Sequence, residues 1–223
     1  MPVKRLSAGW INSLPPQERT RILARLENDE IEFLLKDWRF WARDEQLAPP
    51  SGSDGPWRIW LFLGGRGAGK TRSGAEWIAD GVQRGKMRRV GLIGATRFDA
   101  RSVMIEGESG LKRAAPAAVF EPSNGRLLWP GGAVATLLSA EEPDSFRGHQ
   151  FDGLWIDEWA KYRDPQAALD MALMTLRLGK DPRALITSTP RNIPALNALM
   201  AAEGVVTTRS ATSANAGNLA PGF

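Results

Sequence analysis

The octapeptide Gly64-Gly65-Arg66-Gly67-Ala68-Gly69-Lys70-Thr71 restricts the fold of this 223-residue chain more than any other stretch. It fits the pattern G-x-x-x-x-G-K-[ST], whose glycines let backbone N–H groups turn inward around phosphate oxygens in dihedrals that a side chain would obstruct. Such a loop needs a buried strand before it and a helix after it. Arg58-Ile59-Trp60-Leu61-Phe62-Leu63 supplies the strand, and the segment from Thr71 to Gln83 reads as the helix. Within the loop, the spacing places Lys70 on the β- and γ-phosphates of a nucleotide and the Thr71 hydroxyl on Mg²⁺. The helix N-terminus adds partial positive charge. Arg66, at a variable position, has two readings: a contact to the γ-phosphate or a solvent-facing side chain.

The rest of the chain repeats this alternation. Val90 to Ala95, Gly153 to Asp157, Ala184 to Ser188 and Val205 to Thr208 read as strands, and Arg126 to Leu138 as a hairpin around Pro130-Gly131-Gly132. Helices are expected after Asp99, read as an N-cap, towards Ala114, from Asp164-Pro165 through Leu176, and from Pro194 to Ala202. The pattern predicts an α/β fold with a mainly parallel central sheet and flanking helices. Upstream, Ile22, Leu23, Leu26, Ile31, Leu34, Leu35, Trp38 and Trp41 recur at helical spacing, so residues 17–42 read as one helix. Ala48 to Pro56 is a Pro/Gly/Ser-rich breaker. The expected organisation is an N-terminal helical appendage over residues 1–50, a core over 51–210, and the start of a linker over 211–223.

Leu154-Trp155-Ile156-Asp157-Glu158 is an apolar strand ending in adjacent carboxylates. Beside a phosphate loop these divide the work. Asp157 holds Mg²⁺ through its water shell, and Glu158 orients and deprotonates the attacking water. The long interval between Lys70 and Asp157 leaves room for intervening strands. It favours the P-loop NTPases of the additional-strand type, whose catalytic base is a glutamate. Thr187-Ser188-Thr189 ends the next strand, where hydroxyls either sense the γ-phosphate or form a plain Ser/Thr turn.

Composition narrows the chemistry further. There is no cysteine, which excludes disulfides and thiolate sites, and His149 is the single histidine, which excludes a multi-histidine zinc centre. His149 reads as structural. The net charge of +4 permits a polyanionic partner, and the densest basic cluster, Lys86-Met87-Arg88-Arg89, reads as a solvated turn. No apolar run approaches the ~20 residues of a membrane span.

In this order the motifs resemble the terminase large subunit of tailed phages and gene transfer agents. The resemblance rests on residues 57–63 running into GGRGAGKT, on Ser145-Phe146-Arg147-Gly148, on LWIDEWA from Leu154 to Ala160, and on TSTPR from Thr187 to Arg191. It implies an ATP-hydrolysing motor that moves double-stranded DNA without regard to sequence. Its partners would be a portal, a small terminase subunit and further copies of the chain in a ring, in the cytoplasm of a bacterial host and docked transiently on the procapsid. It further implies that Thr189 couples hydrolysis to movement and that Gln46 reads the adenine edge. Arg147 would be an arginine finger offered to a neighbouring subunit, and Arg66 the alternative acting in cis. Such subunits also carry a C-terminal nuclease. The sequence stops at Phe223, with residues 215–223 resembling the connector, so no cutting activity is expected. Two other readings stay open: a helicase-like DNA-dependent ATPase, and a nucleotide-gated scaffold without turnover.

Overall fold

The computed structural model describes residues 5–50 and 57–218, and the chain divides into two compact units, Met1–Leu47 and Ala48–Phe223. The expected breaker over Ala48 to Pro56 falls largely outside the described residues, as does the end of the expected connector.

The N-terminal unit is not one long helix. It comprises α1 (Ala8–Ser13), α2 (Pro16–Leu23), α3 (Asn28–Lys36) and α4 (Trp38–Trp41). Local capping explains the breaks. The carboxylate of Glu30 accepts from the backbone N–H of Glu27 at the head of α3, and Asp37 accepts from Arg39 N–H at the head of α4. Each carboxylate offers the backbone a partner outside a continuous helix. None of the eight apolar residues in the expected stripe is buried; this unit instead buries Ile11, Phe40, Ala42 and Gln46.

The second unit follows the expected alternation: β1 (Ile59–Gly64), α5 (Lys70–Gln83), β2 (Arg89–Gly94), α6 (Arg97–Asp99), α7 (Leu111–Ala114), β3 (Val119–Glu121), β4 (Arg126–Leu128), β5 (Val134–Ser139), β6 (Gly153–Ile156), α8 (Pro165–Thr175), β7 (Arg183–Ser188), α9 (Pro194–Ala201) and β8 (Val205–Ser210). The strands form one eight-stranded sheet in the order β3-β4-β5-β2-β6-β7-β1-β8, parallel except for the antiparallel β3-β4-β5 extension. The hairpin was expected; the short β3 beyond it was not. Asp99 does not cap its helix. Thr96 does, accepting from Asp99 N–H at 3.0 Å, while the Asp99 carboxylate accepts from Thr96 N–H at 3.2 Å. A π-helical turn, Ala100–Ile105, then replaces the single helix expected to run towards Ala114.

Strand alternation sets the layers. Trp60 and Phe62 of β1 face one core with Leu92, Trp155, Leu185 and the α5 residues Ala75 and Ile78. Ile59, Leu61 and Leu63 face the other, with Ile156, Ile186, Leu169 of α8 and Leu199 of α9. α5 approaches the sheet closely at Gly74, where a Cβ would collide with the Trp155 ring. The basic turn at 86–89 is only partly solvated: Met87 is buried, and the Asp152 carboxylate accepts from Arg88 and Arg89 N–H at 2.8 and 3.1 Å.

One strand separates the phosphate-loop strand from the acidic strand, as expected, but it arises differently. It is β7, which follows β6 in sequence and inserts between β6 and β1. The strands lying between the two motifs in sequence, β2 to β5, sit beyond β6 on the far side. The length of the interval therefore did not create the additional strand.

Candidate functional site

Parallel β1, β7 and β6 end on the same edge of the sheet, and their C-terminal tips bring together the phosphate loop, residues 187–189 and the carboxylate pair. Gly67 and Gly69 adopt left-handed φ values of 73° and 82°, the latter capping α5. A side chain at either position would be strained, which is the conformational freedom the motif requires.

Lys70 is 7% exposed, and its ammonium is fully engaged. Nζ donates to the carbonyls of Gly64 (2.9 Å) and Gly65 (3.0 Å), lies 3.4 Å from Thr189 Oγ1, and pairs with Glu158 Oε1 at 3.3 Å. The Glu158 carboxylate also accepts from the Thr189 hydroxyl at 3.0 Å and pairs with Lys161 Nζ at 3.2 Å. Burial pushes Glu158 up, but Lys70 and Lys161 outweigh it and hold its pKa below the ordinary carboxylate range. A carboxylate kept ionised next to the phosphate-loop lysine is equipped to orient water and to take its proton. Among the described residues Glu158 is the one non-glycine residue at positive φ (52°), a conformation that concentrates at functional sites.

Asp157 is held differently. Its carboxylate accepts from the Thr187 hydroxyl, which in turn accepts from Trp155 Nε1 at 3.1 Å. Burial raises its pKa to about 6, assisted by the Glu158 charge and opposed by the Thr187 hydrogen bond and Lys70. Tyr162 sits beneath it, its hydroxyl 2.9 Å from the carbonyls of both Ile93 and Asp157, which ties β2 to the end of β6. Burial first, then the Asp157 and Glu158 charges, keep that phenol well above its ordinary range. Ser188 is fully buried and accepts from Ala160 N–H at 3.1 Å, which places it in the wall rather than the site.

The donor chemistry fits Mg²⁺. Thr71, on the first turn of α5, and Asp157 are hard oxygen donors, and this ion takes one or two protein ligands with substrate phosphates and water completing its shell. Among the described residues there is no cluster of three or more His, Asp or Glu that would form an all-protein cage.

The two arginines are not part of this cluster. Arg66 is exposed at the tip of the loop, and Arg147 is exposed in the turn after Pro143–Phe146, 3.1 Å from Asp144. Gln46 is buried in the N-terminal unit, where its side-chain oxygen accepts from Arg43 N–H at 3.3 Å. A cavity of about 410 Å³ elsewhere in the core unit, lined by Arg89, Arg126, Thr136, His149 and Phe151, shares no residue with the phosphate loop. His149 stacks on Phe151 there, and burial lowers its pKa.

Sequence reasoning missed Lys161, Tyr162, Thr212 and Asn215. Lys161 was findable, since a lysine three residues after a strand-end glutamate can reach back to it. Nothing local marks Tyr162. Thr212 and Asn215 lie in a stretch that reads as featureless linker. There, Thr212 Oγ1 donates to Arg66 O at 2.8 Å and Asn215 Nδ2 to Gly67 O at 2.6 Å, from a 3₁₀ segment, Thr212–Asn218.

Residues 61–223 match the family described as "Terminase large subunit, T4likevirus-type, N-terminal". No curated protein matches the chain. Among solved structures, it is similar to the Thermus phage P74-26 large terminase ATPase domain, at 19% identity and TM-score 0.62, covering 84% of this chain and 86% of that one. It is also similar to the large terminase of a thermophilic bacteriophage in complex with ADP (16% identity, TM-score 0.59, 74% of this chain and 42% of that one). A third is the HK97 bacteriophage large terminase (19%, TM-score 0.52, 83% and 39%). The chain thus spans about two fifths of the two longer terminases. At these identities the likeness establishes a shared fold: the α/β, mainly parallel P-loop sheet expected from the sequence.

Proposed function

Since the chain belongs to the terminase large subunits through their N-terminal part, we propose that it is the ATP-hydrolysing motor domain that drives double-stranded DNA into a capsid. The observation that carries this reading is the meeting of Lys70, Glu158 and Thr189 at one sheet edge.

In the proposed reaction the phosphate loop and Lys70 hold the β- and γ-phosphates of ATP. Thr71 and Asp157 would hold Mg²⁺, which supplies neutralising charge on the phosphate oxygens. Glu158 takes a proton from water as the water oxygen bonds to the γ-phosphorus and the bond to the bridging oxygen breaks, leaving ADP and phosphate. Thr189 links that event to β7. Its hydroxyl holds Glu158 on one side and faces Lys70 on the other, so a change at the γ-phosphate alters the hydrogen bonding of the strand end. Arg147, exposed and paired among the described residues with a similarly exposed Asp144, suits donation to a neighbouring copy better than the loop-borne Arg66. DNA would be gripped at its phosphates, and the portal and small subunit would be the assembly partners.

Steady-state ATP turnover at rising protein concentration, with duplex or single-stranded DNA, tests this reading. A packaging motor is stimulated by duplex, increasingly as subunits associate. Stimulation by single strands alone would replace it with a helicase-like ATPase, and bound nucleotide without turnover in any condition would replace it with a scaffold.

A further inference from the structure

We infer that Thr212 and Asn215 are positioning residues for the phosphate loop, and that Gly65 is glycine to admit Thr212 rather than to admit phosphate. The inference rests on the nucleotide reading of the loop given above.

β8 runs parallel to β1 with Gly64 paired to Ser210, so the chain leaving β8 emerges beside the phosphate loop. Thr212 and Asn215 then grip two successive carbonyls, those of Arg66 and Gly67. In a trans peptide the carbonyl and the N–H point in opposite directions, and no cis bond occurs among the described residues. Holding the Arg66 and Gly67 carbonyls outward therefore turns the N–H groups of Gly67 and Ala68 toward the loop interior. Ala68 N–H shows that direction, reaching across to Gly65 O at 3.3 Å. Inward N–H groups are what a phosphate needs, and a loop that already presents them loses less entropy on binding.

Gly65 carries the second, independent sign. Its φ is not positive, so an alanine there meets no backbone strain. What excludes a side chain is Thr212: a Cβ at Gly65 would collide with Thr212 Oγ1, whereas Thr212 Cβ lies 3.7 Å from that point, an ordinary contact.

The test titrates ADP and ATPγS, each with Mg²⁺, onto the full chain, and measures turnover and melting temperature on the same preparations. Thr212→Ala and Asn215→Ala are expected to weaken nucleotide binding about 3- to 10-fold each, the effect of one lost hydrogen bond, with kcat at saturation within about twofold. Thr212→Ser should bind as the parent does. Gly65→Ala should weaken binding about as much as Thr212→Ala, because the hydroxyl must rotate off the Arg66 carbonyl, yet add nothing on a Thr212→Ala background, where the colliding hydroxyl is gone. Unchanged affinity in both alanine variants overturns the inference, as does an equal Gly65→Ala penalty on both backgrounds, which would assign that glycine to phosphate approach. Parent protein that binds neither nucleotide overturns the nucleotide reading itself, and the inference with it.

Discussion

Lys70 Nζ lies 3.3 Å from Glu158 Oε1, joining the phosphate loop at the end of β1 to the acidic tip of β6 across the intervening β7. Both partners also touch Thr189, so the three strand ends share one hydrogen-bonded knot.

Glu158 holds a left-handed backbone that only glycine adopts without cost, about 1–2 kcal/mol for other residues. Glu158→Gly is therefore expected to melt a few degrees above Glu158→Ala, for a chain of this size, with both inactive. Thermal unfolding by circular dichroism compares them. Equal melting temperatures would mean that this position carries no strain.

Asp157 titrates at about 6 in the fold against 3.8 ordinarily. The folded state binds that proton more tightly than the unfolded chain, so ionisation costs stability above about pH 6 and the cost vanishes as pH falls toward 3.8. The gap corresponds to roughly 3 kcal/mol at most. Asp157→Asn should thus raise the melting temperature at pH 7.5 without nucleotide and lose that advantage near pH 4. Glu158 acts in the opposite sense: its depressed pKa stabilises above 4.5 and that contribution is lost as pH falls through its folded value. Activity should likewise fall below about pH 6, with more Mg²⁺ needed for half-maximal rate as Asp157 protonates.

Thr187 accepts from Trp155 and donates to Asp157, both inside the protein. Thr187→Val leaves an indole N–H and a carboxylate without that partner, at about 1–3 kcal/mol for each neutral group and more for the charged one. Thr187→Ser should be nearly silent. Denaturant unfolding with turnover measured alongside distinguishes the two.

The phosphate loop, the Asp157-Glu158 pair and the strand–helix alternation were legible in the sequence because each is a local pattern: a glycine spacing, a strand terminus, a hydrophobic period. What escaped depends on contacts distant in sequence or on competing local bonds. The strand between β1 and β6 is β7, which α8 delivers to the side of β6 away from β2, and interval length does not encode that. Thr96 outcompeted Asp99 as a cap because the pair is reciprocal, and Asp reads equally well at either position. The stripe over residues 17–42 has helical periodicity but is interrupted by Glu30 and Asp37 bonding to backbone. Thr212 and Asn215 look like linker until β8 delivers them to the phosphate loop.

Arg147 and Arg66 are separable by mixing. Arg147→Ala and Glu158→Gln are each expected to abolish turnover alone and, combined in equal amounts, to regain activity, since a mixed assembly pairs an intact Glu158 with a neighbour's intact Arg147. An arginine finger is worth about 10³–10⁵ in rate, so even partial recovery is measurable. No recovery, with Arg66→Ala inactive, would assign the role to Arg66 in cis.

The role of Glu158 is tested most directly by phosphate release at saturating MgATP by the parent chain and by Glu158→Gln, with ATPγS affinity measured on the same two preparations. Turnover is expected to fall at least about 100-fold, the scale of a missing general base, with affinity within about threefold. A Glu158→Gln chain that still turns over at a comparable rate would show that the water is activated elsewhere and would contradict the site as described.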